Sequence, residues 1–160
     1  MIPNRIVLDT NVCLDLFVFE DPRCKPLADA LAQGRLQAVT RADCRTEWLL
    51  VLAYPQFGLE PERRTACTAR FDALVACIDG PDDRSGHGVD AARAAAALPH
   101  CRDTDDQKFL EAARDSGATV LLTKDKALLK LAGRCRRAGL FDILQPAAWV
   151  AAHSAPATVE

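Results

Sequence analysis

Two short apolar runs, far apart in the chain, each end close to a carboxylate that precedes a helical segment. The first covers residues 6–8 and is followed by Asp9; the second covers residues 119–123 and is followed, one residue later, by Asp125. An apolar run that stops at a helix-capping residue is typical of a buried strand. Strands that alternate with helices predict an α/β layer structure with a mainly parallel sheet.

Further segments predict the remaining strands and helices. Residues 36–39 and 143–144 predict two more strands. Residues 41–54 and 62–78 predict helices, because apolar residues recur at helical spacing, and the alanine-rich residues 89–98 predict one more. The sequence therefore predicts mostly helices around a small sheet.

Turn and cap signals separate these elements. Residues 79–88 are rich in turn formers and predict a loop. Thr104 and Gln107 match a capping box, in which Thr104 is the N-cap and Gln107 reaches back to it. The helix that follows is expected to run to about Ser116 and to stop at Gly117.

The length and apolar content fit one compact domain. The chain has 160 residues, of which 49% are hydrophobic, enough to bury a sizeable core. We expect a single domain over residues 1–153 and a frayed tail over residues 154–160. No apolar run approaches the ~20 residues that cross a bilayer, and the N-terminus lacks the features of an export signal. A cytoplasmic protein without a membrane segment is expected.

The formal net charge of −2 argues against a general polyanion binder, which is usually strongly basic. Any nucleic-acid contact must then come from a local basic patch, and a solvated helix face is the alternative reading of each group. The candidates are Lys124, Lys126, Lys130, Arg134, Arg136 and Arg137 near the C-terminus, with Arg41 and Arg45 as a second group.

The seven cysteines are scattered and contain no Cys-x-x-Cys pair. Buried, reduced thiols are the better interpretation. A zinc site needs ligands at close spacing, yet His87, His100 and His153 lie far apart. The sequence does not favour a zinc protein.

Asp9 and Asp125 follow strands, and in a parallel α/β sheet ligands collect outside the carboxyl ends of the strands. Each could also be a plain helix N-cap. Glu47 shares a helix face with Leu50, Val51 and Tyr54, and that face is expected to be buried. A carboxylate there needs a cation or hydrogen bonds. A salt bridge to an arginine such as Arg5 is the alternative.

Asp106 continues the face of Phe109, Leu110 and Ala113 and is expected to point inward at the start of its helix. An ordinary favourable interaction with the helix dipole is the alternative. Asp103, just before the predicted cap, could join the acidic cluster or only terminate the loop.

Four acids at strand ends and helix starts point to a shared role in binding hard cations. Oxygen-only ligands suit Mg²⁺ or Mn²⁺ rather than zinc. Two such ions could activate a water and stabilise the leaving oxygen of a phosphodiester. No serine or cysteine nucleophile with a paired base is apparent.

These motifs resemble the PIN domains, and within them the bacterial group of toxin components of toxin–antitoxin systems. The resemblance runs from about Arg5 to Val150. It rests on an ordered set of segments: residues 7–12, Glu47 ahead of residues 51–57, residues 101–110 and residues 123–126.

The resemblance implies a PIN-like three-layer α/β/α sandwich and assigns roles to residues. Asp9, Glu47 and Asp106 would be the core catalytic and metal-binding acids, with Asp125 the fourth and Asp103 a possible addition. The supporting hydrogen-bonding residues would be Thr10, Asn11 and Thr123, and the substrate-phosphate candidates are Lys124, Lys126 and Arg45.

The resemblance also implies an activity and partners. It implies an endoribonuclease that leaves a 5′-phosphate and a 3′-hydroxyl, often a toxin covered by the tail of an antitoxin, and commonly a homodimer. One departure is Lys124, where many relatives have glycine. A lysine there could contact substrate phosphate, or could fill the pocket and weaken metal binding.

Two other functions remain open from the sequence. One is a catalytically silent module that binds RNA or protein and uses its acids for stability. The other is a magnesium-dependent phosphohydrolase with Asp9 as covalent nucleophile. That chemistry usually needs a second aspartate two residues on, where this chain has Asn11.

Overall fold

The computed structural model describes residues 4–78 and 98–153. The predicted loop at residues 79–88, nearly all of the helix predicted at residues 89–98, and the predicted tail lie outside the described residues. The strands are β1 (Asn4–Leu8), β2 (Leu36–Arg41), β3 (Val75–Ile78), β4 (Val120–Leu122) and β5 (Asp142–Leu144).

The α-helices of the described part fall between and after these strands. They are α1 (Thr10–Phe17), α2 (Lys25–Ala32), α3 (Ala42–Leu52), α4 (Pro61–Leu74), α5 (Gln107–Ser116), α6 (Lys126–Leu129), α7 (Ala132–Arg137) and α8 (Pro146–His153). Short 3₁₀ helices cover Pro22–Cys24, Pro55–Phe57 and Thr104–Asp106.

The five strands form one sheet in the order β3-β2-β1-β4-β5, and every pairing is parallel. From β1 the chain builds outward through β2 to β3, and then returns to place β4 on the other side of β1. The strand order therefore reverses between β1 and β4, the place where α/β sheets bind ligands.

Both faces of the central strand are buried, as parallel sheets require. Ile6 and Leu8 join one hydrophobic cluster, which receives residues of α1, α2, α3, α4 and α8. Val7 joins a second cluster, which receives residues of α5, α6 and α7. The predicted α/β/α sandwich with a parallel central sheet is confirmed.

The helix predicted over residues 62–78 is wrong in its last turn. It ends at Leu74, and Val75–Ile78 forms the edge strand β3, which pairs with β2. Phe71, Val75 and Ile78 are all buried, and their spacing of three to four residues reads equally well as a helix face. Hydrogen bonding to β2, which is distant in sequence, makes residues 75–78 a strand.

The predicted capping box is also wrong. Asp103 is the cap: its side chain accepts a hydrogen bond from the backbone N–H of Asp105 at 3.0 Å. The Gln107 side chain instead holds the preceding loop, accepting from the N–H of Cys101 at 2.7 Å and donating to the carbonyl of Pro99 at 3.1 Å. The predicted stop at Gly117 is confirmed, with φ +74° in the left-handed region.

The predicted burial of one face of α3 is wrong. Leu50 is 61% exposed and Tyr54 is 45% exposed, whereas Cys44, Trp48 and Leu52 are the buried residues of this helix. Trp48 packs against Phe17 and Phe71 with ring centroids 6.1 and 5.3 Å apart. These aromatic contacts fix the rotation of α3 and leave Glu47 at the border of the buried face.

The cysteines match their predicted state with one exception. Six of the seven are buried thiols, as predicted, whereas Cys77 is exposed. Among residues 4–78 and 98–153, no helix has both the length and the apolar character to cross a bilayer.

Candidate metal centre

The predicted acids converge at the edge of the sheet where the strand order reverses. Asp9 directly follows β1, and Asp125 caps α6 after β4. Asp106 ends the 3₁₀ turn before α5, and Glu47 lies in the middle of α3. Segments far apart in sequence therefore deliver their carboxylates to one place.

Asp9 is the most enclosed of these acids, with only 4% of its surface exposed. Its Oδ1 accepts from the backbone N–H of Thr10 and its Oδ2 from the hydroxyl of Thr123, both at 2.6 Å. Burial raises the pKa of Asp9 to about 6, the two hydrogen bonds oppose this rise, and the negative charges of Glu47 and Asp125 add to it. The backbone N–H of Asp125 donates to the Thr123 hydroxyl at 2.9 Å, so Thr123 links the two strand ends.

Asp103, Asp106 and Asp125 form the tightest group. One carboxylate oxygen from each lies within 4.8 Å of the others. Oδ2 of Asp106 is buried and accepts no hydrogen bond from an N–H or a hydroxyl of the described residues. A buried oxygen without a donor is unfavourable, so this group needs a proton or a cation.

The surroundings of Asp106 favour its protonated form when no metal is bound. Burial raises the pKa of Asp106 well above its usual range, and a hydrogen bond with Asp125 and the charges of Asp9, Asp125 and Asp103 raise it further. The same hydrogen bond lowers the pKa of Asp125. Opposed pKa shifts of this kind are expected where two carboxyls lie close enough for one proton to serve both.

Glu47 is held differently, by two groups of the protein itself. The Thr10 hydroxyl donates to its Oε2, and the ammonium of Lys108 lies 2.7 Å from its Oε1. Lys108 also donates to the backbone carbonyl of Asp105. The predicted alternative partner, Arg5, instead donates to Gln37 and to the carbonyl of Ser116.

Lys108 was missed by the sequence analysis. Its position two residues after Asp106 gives no sign of a contact with Glu47, which is 61 residues earlier. Packing of α3 against α5 brings them together.

Asn11 fixes the turn after β4. Its side-chain oxygen accepts from the backbone N–H of Lys124 at 3.3 Å. The Lys124 ammonium lies 2.7 Å from Asp15 of α1. Arg45 makes a two-pronged contact with Asp72, at 3.0 and 2.7 Å. Lys126, in contrast, is exposed and forms no ion pair with a described residue.

The donor set fits a hard divalent cation. Within the part of the chain that the structure describes, the contact between Glu47 and Lys108 is the one ion pair made by the five acids. The remaining carboxylates supply only oxygen, which favours Mg²⁺ or Mn²⁺ over zinc. A cation beside Asp106 Oδ2 would satisfy the buried oxygen and displace the proton.

Comparison with known proteins identifies the family. The PIN domain family matches residues 5–127, a range that includes all five acids. The chain therefore belongs to the PIN domain family.

A solved structure shares the fold. The crystal structure of VapBC2 from Rickettsia felis, bound to a DNA fragment from their promoter, superimposes with a TM-score of 0.54 and 12% sequence identity. The match covers 87% of this chain and 96% of the other. At this identity the likeness concerns the fold alone. No curated protein matches the chain.

Proposed function

We propose that the chain is a divalent-metal-dependent endoribonuclease whose catalytic acids are Asp9, Glu47, Asp106 and Asp125. Mg²⁺ or Mn²⁺ would be held by the same four acids, with Asp103 as a further ligand. The supporting observation is the buried Asp106 oxygen, which has no donor among the described residues and faces other carboxylates. Membership of the PIN family agrees with this chemistry.

A bound divalent cation supplies a stabilising charge for the phosphodiester transition state and lowers the pKa of an attacking water. The protein residues prepare the site. Thr123 and the backbone of Thr10 fix both oxygens of Asp9, so its carboxylate does not have to reorganise. Thr10 and Lys108 fix Glu47 in the same way. Asp106 and Asp125 would hold the cation through their carboxylate oxygens in the unprotonated form.

We further propose that the protein is the toxin of a type II toxin–antitoxin pair and acts in the cytoplasm on RNA. The PIN family and the fold shared with the VapBC2 complex support this role. An antitoxin protein is the proposed partner, with a homodimer as the proposed assembly. The products expected are RNA fragments with a 5′-phosphate and a 3′-hydroxyl.

The test is cleavage of end-labelled RNA by the purified protein with Mn²⁺, Mg²⁺ or a chelator. We expect cleavage only with metal, and loss of cleavage in Asp9→Asn and in Asp106→Asn with melting behaviour retained. Asp72→Asn is the matched control, because Asp72 is paired with Arg45 away from the acidic cluster. Cleavage that persists in both site variants would refute the proposal.

One observation favours a second candidate, a silent interaction module. The ammonium of Lys108 already neutralises Glu47, as expected where an acid serves stability alone. Calorimetry with Mn²⁺ separates the two functions: absence of binding at millimolar concentration would favour the silent module.

The phosphohydrolase with Asp9 as nucleophile is less well supported. Both oxygens of Asp9 accept hydrogen bonds, and Asn11, at the position of the required second aspartate, binds the backbone of Lys124. Trapping a phosphoryl mimic on Asp9 would revive it.

A further inference from the structure

The cations of the described surface fall into two groups, those paired with carboxylates and those that are not. The paired group includes Arg23 with Asp21, Lys25 with Asp29, Arg45 with Asp72, Lys124 with Asp15, and Arg136 with Asp142. The charges of such cations are already neutralised, so they attract a further anion more weakly.

Four members of the second group lie close together. A surface groove of about 480 Å³ is lined by Arg102, Lys126, Lys130 and Arg134, with His100 at its side and Ala127 and Leu131 among the other lining residues. Within residues 4–78 and 98–153, none of these four cations forms an ion pair. All four side chains are exposed.

Two of the lining cations are sequence neighbours of acids in the cluster. Arg102 directly precedes Asp103, and Lys126 directly follows Asp125. Lys130 directly follows α6 and Arg134 lies in α7, and both line the same groove. Two segments far apart in sequence therefore bring their cations to the same side of the candidate metal centre.

We propose that this groove binds the phosphodiester backbone of a single-stranded RNA substrate on one side of the bond that is cut. This inference rests on the proposed ribonuclease function and specifies the surface on which the RNA substrate binds. The acidic cluster repels a polyanion, so unpaired cations next to it are needed to bring RNA within reach of the acids. Of the three residues that the sequence predicted to contact phosphate, only Lys126 lines this groove. Lys124 and Arg45 are paired with carboxylates instead. Arg102, which the sequence did not single out, is a further lining cation.

The groove faces the solvent on the side of α6 and α7, whereas α2 lies on the opposite side of the sheet. This placement supplies a matched control. Lys130→Gln/Arg134→Gln removes two groove cations, and Arg23→Gln/Lys25→Gln removes two cations at and just before α2. Both variants change the net charge by the same amount.

The experiment measures binding of a fluorescent single-stranded RNA in Mg²⁺ on the Asp106→Asn background, which is designed not to cleave. We expect the groove variant to weaken binding at least about tenfold. The slope of log K against log salt, measured between about 50 and 200 mM, should fall by about 1.4, since each lost phosphate contact on a single strand removes about 0.7. The control variant should remain within about twofold. Equal effects of the two variants would overturn the proposal.

Two further measurements keep the outcome clear. Arg102→Gln, from a different segment, should weaken RNA binding in the same direction, and no change would contradict the groove. A single-stranded DNA of the same sequence should show the same loss, because the contacts are to phosphates; a loss confined to RNA would contradict phosphate recognition.

Failure of the groove and failure of the proposed function have different signatures. If the otherwise unmodified protein cleaves RNA and the groove variant has an unchanged KM, the groove proposal is wrong and the nuclease stands. If no RNA is cleaved with any metal but the groove variant still weakens RNA binding, the nuclease is wrong and the groove stands.

Discussion

Glu47 and Asp106 lie at the same edge of the sheet, but the protein neutralises only one of them. Glu47 receives the Thr10 hydroxyl and the Lys108 ammonium. Asp106 has an oxygen without a donor among the described residues, and it faces Asp103 and Asp125. The protein thus supplies partners for the charge of Glu47, whereas Asp106, with Asp103 and Asp125, needs a proton or a metal. These are called the Glu47 half and the Asp106 half of the site. Metal binding should depend mainly on the Asp106 half.

The largest expected effect follows from removal of the Asp106 charge. Asp106→Asn should reduce metal-dependent RNA cleavage by about 100-fold or more, since the metal loses a central ligand. Without metal its melting temperature should stay equal or rise, because a buried, mutually repelling carboxyl is gone. A cleavage assay and thermal melts in chelator check both. A large drop in melting temperature would show that Asp106 is structural.

Glu47→Gln should have a smaller effect on the metal. We expect Mn²⁺ affinity, measured by calorimetry, to fall about tenfold, in the range found for groups that support a metal ligand. In Asp106→Asn the loss should be at least ten times greater. Similar losses in the two variants would mean that the two halves of the site contribute alike.

The stability of the metal-free protein should depend on pH in a defined direction. A carboxyl whose pKa is raised in the folded state stabilises the fold while it is protonated. The pKa of Asp9 rises to about 6, so the melting temperature should fall as pH rises from about 4 to about 6. Asp106, also raised, should continue the fall at higher pH.

Metal and mutation provide the controls for this pH effect. The rise in melting temperature caused by Mn²⁺ should grow with pH. The carboxyls of the site bind the cation only when they are deprotonated, so metal affinity increases as they lose their protons. Asp106→Asn should flatten the metal-free profile above about pH 6, whereas Asp72→Asn should not. Parallel profiles with and without metal would contradict the coupling.

The smallest expected effect concerns Lys108. Lys108→Met removes the cation from Glu47 and should tighten Mn²⁺ binding by about threefold, since one positive charge no longer opposes the metal. Lys25→Met is the control, because its partner Asp29 lies outside the five acids. Weaker metal binding in Lys108→Met would mean that Lys108 acts by positioning Glu47 instead.

Local patterns were enough to predict an α/β layer structure with a parallel sheet, and the strands that precede Asp9 and Asp125. These strands are buried on both faces, so their apolar runs are unambiguous. β3 was missed because its apolar spacing suits a helix, and only its pairing with β2 makes it a strand. The rotation of α3 depends on the packing of Trp48 against Phe17 and Phe71, which no local pattern encodes.

The membership of the acidic cluster could be predicted, but its charge balance could not. Parallel topology gathers the residues that follow strands, and this puts Asp9 and Asp125 together. The contact between Lys108 and Glu47 depends instead on how α3 meets α5. The same holds for the cations near the C-terminus, because their sequence does not show that Arg136 pairs with Asp142 while Lys130 and Arg134 line a groove with Arg102.

The most direct test is anomalous diffraction from crystals soaked in Mn²⁺. We expect a manganese peak within about 2.5 Å of a carboxylate oxygen of Asp106, with oxygens of Asp9 or Asp125 completing its coordination. The metal should then be the partner that Asp106 Oδ2 lacks among the described residues of the metal-free protein. Absence of a peak at saturating Mn²⁺, with Asp106 still facing Asp125 at short range, would contradict a metal centre at this site.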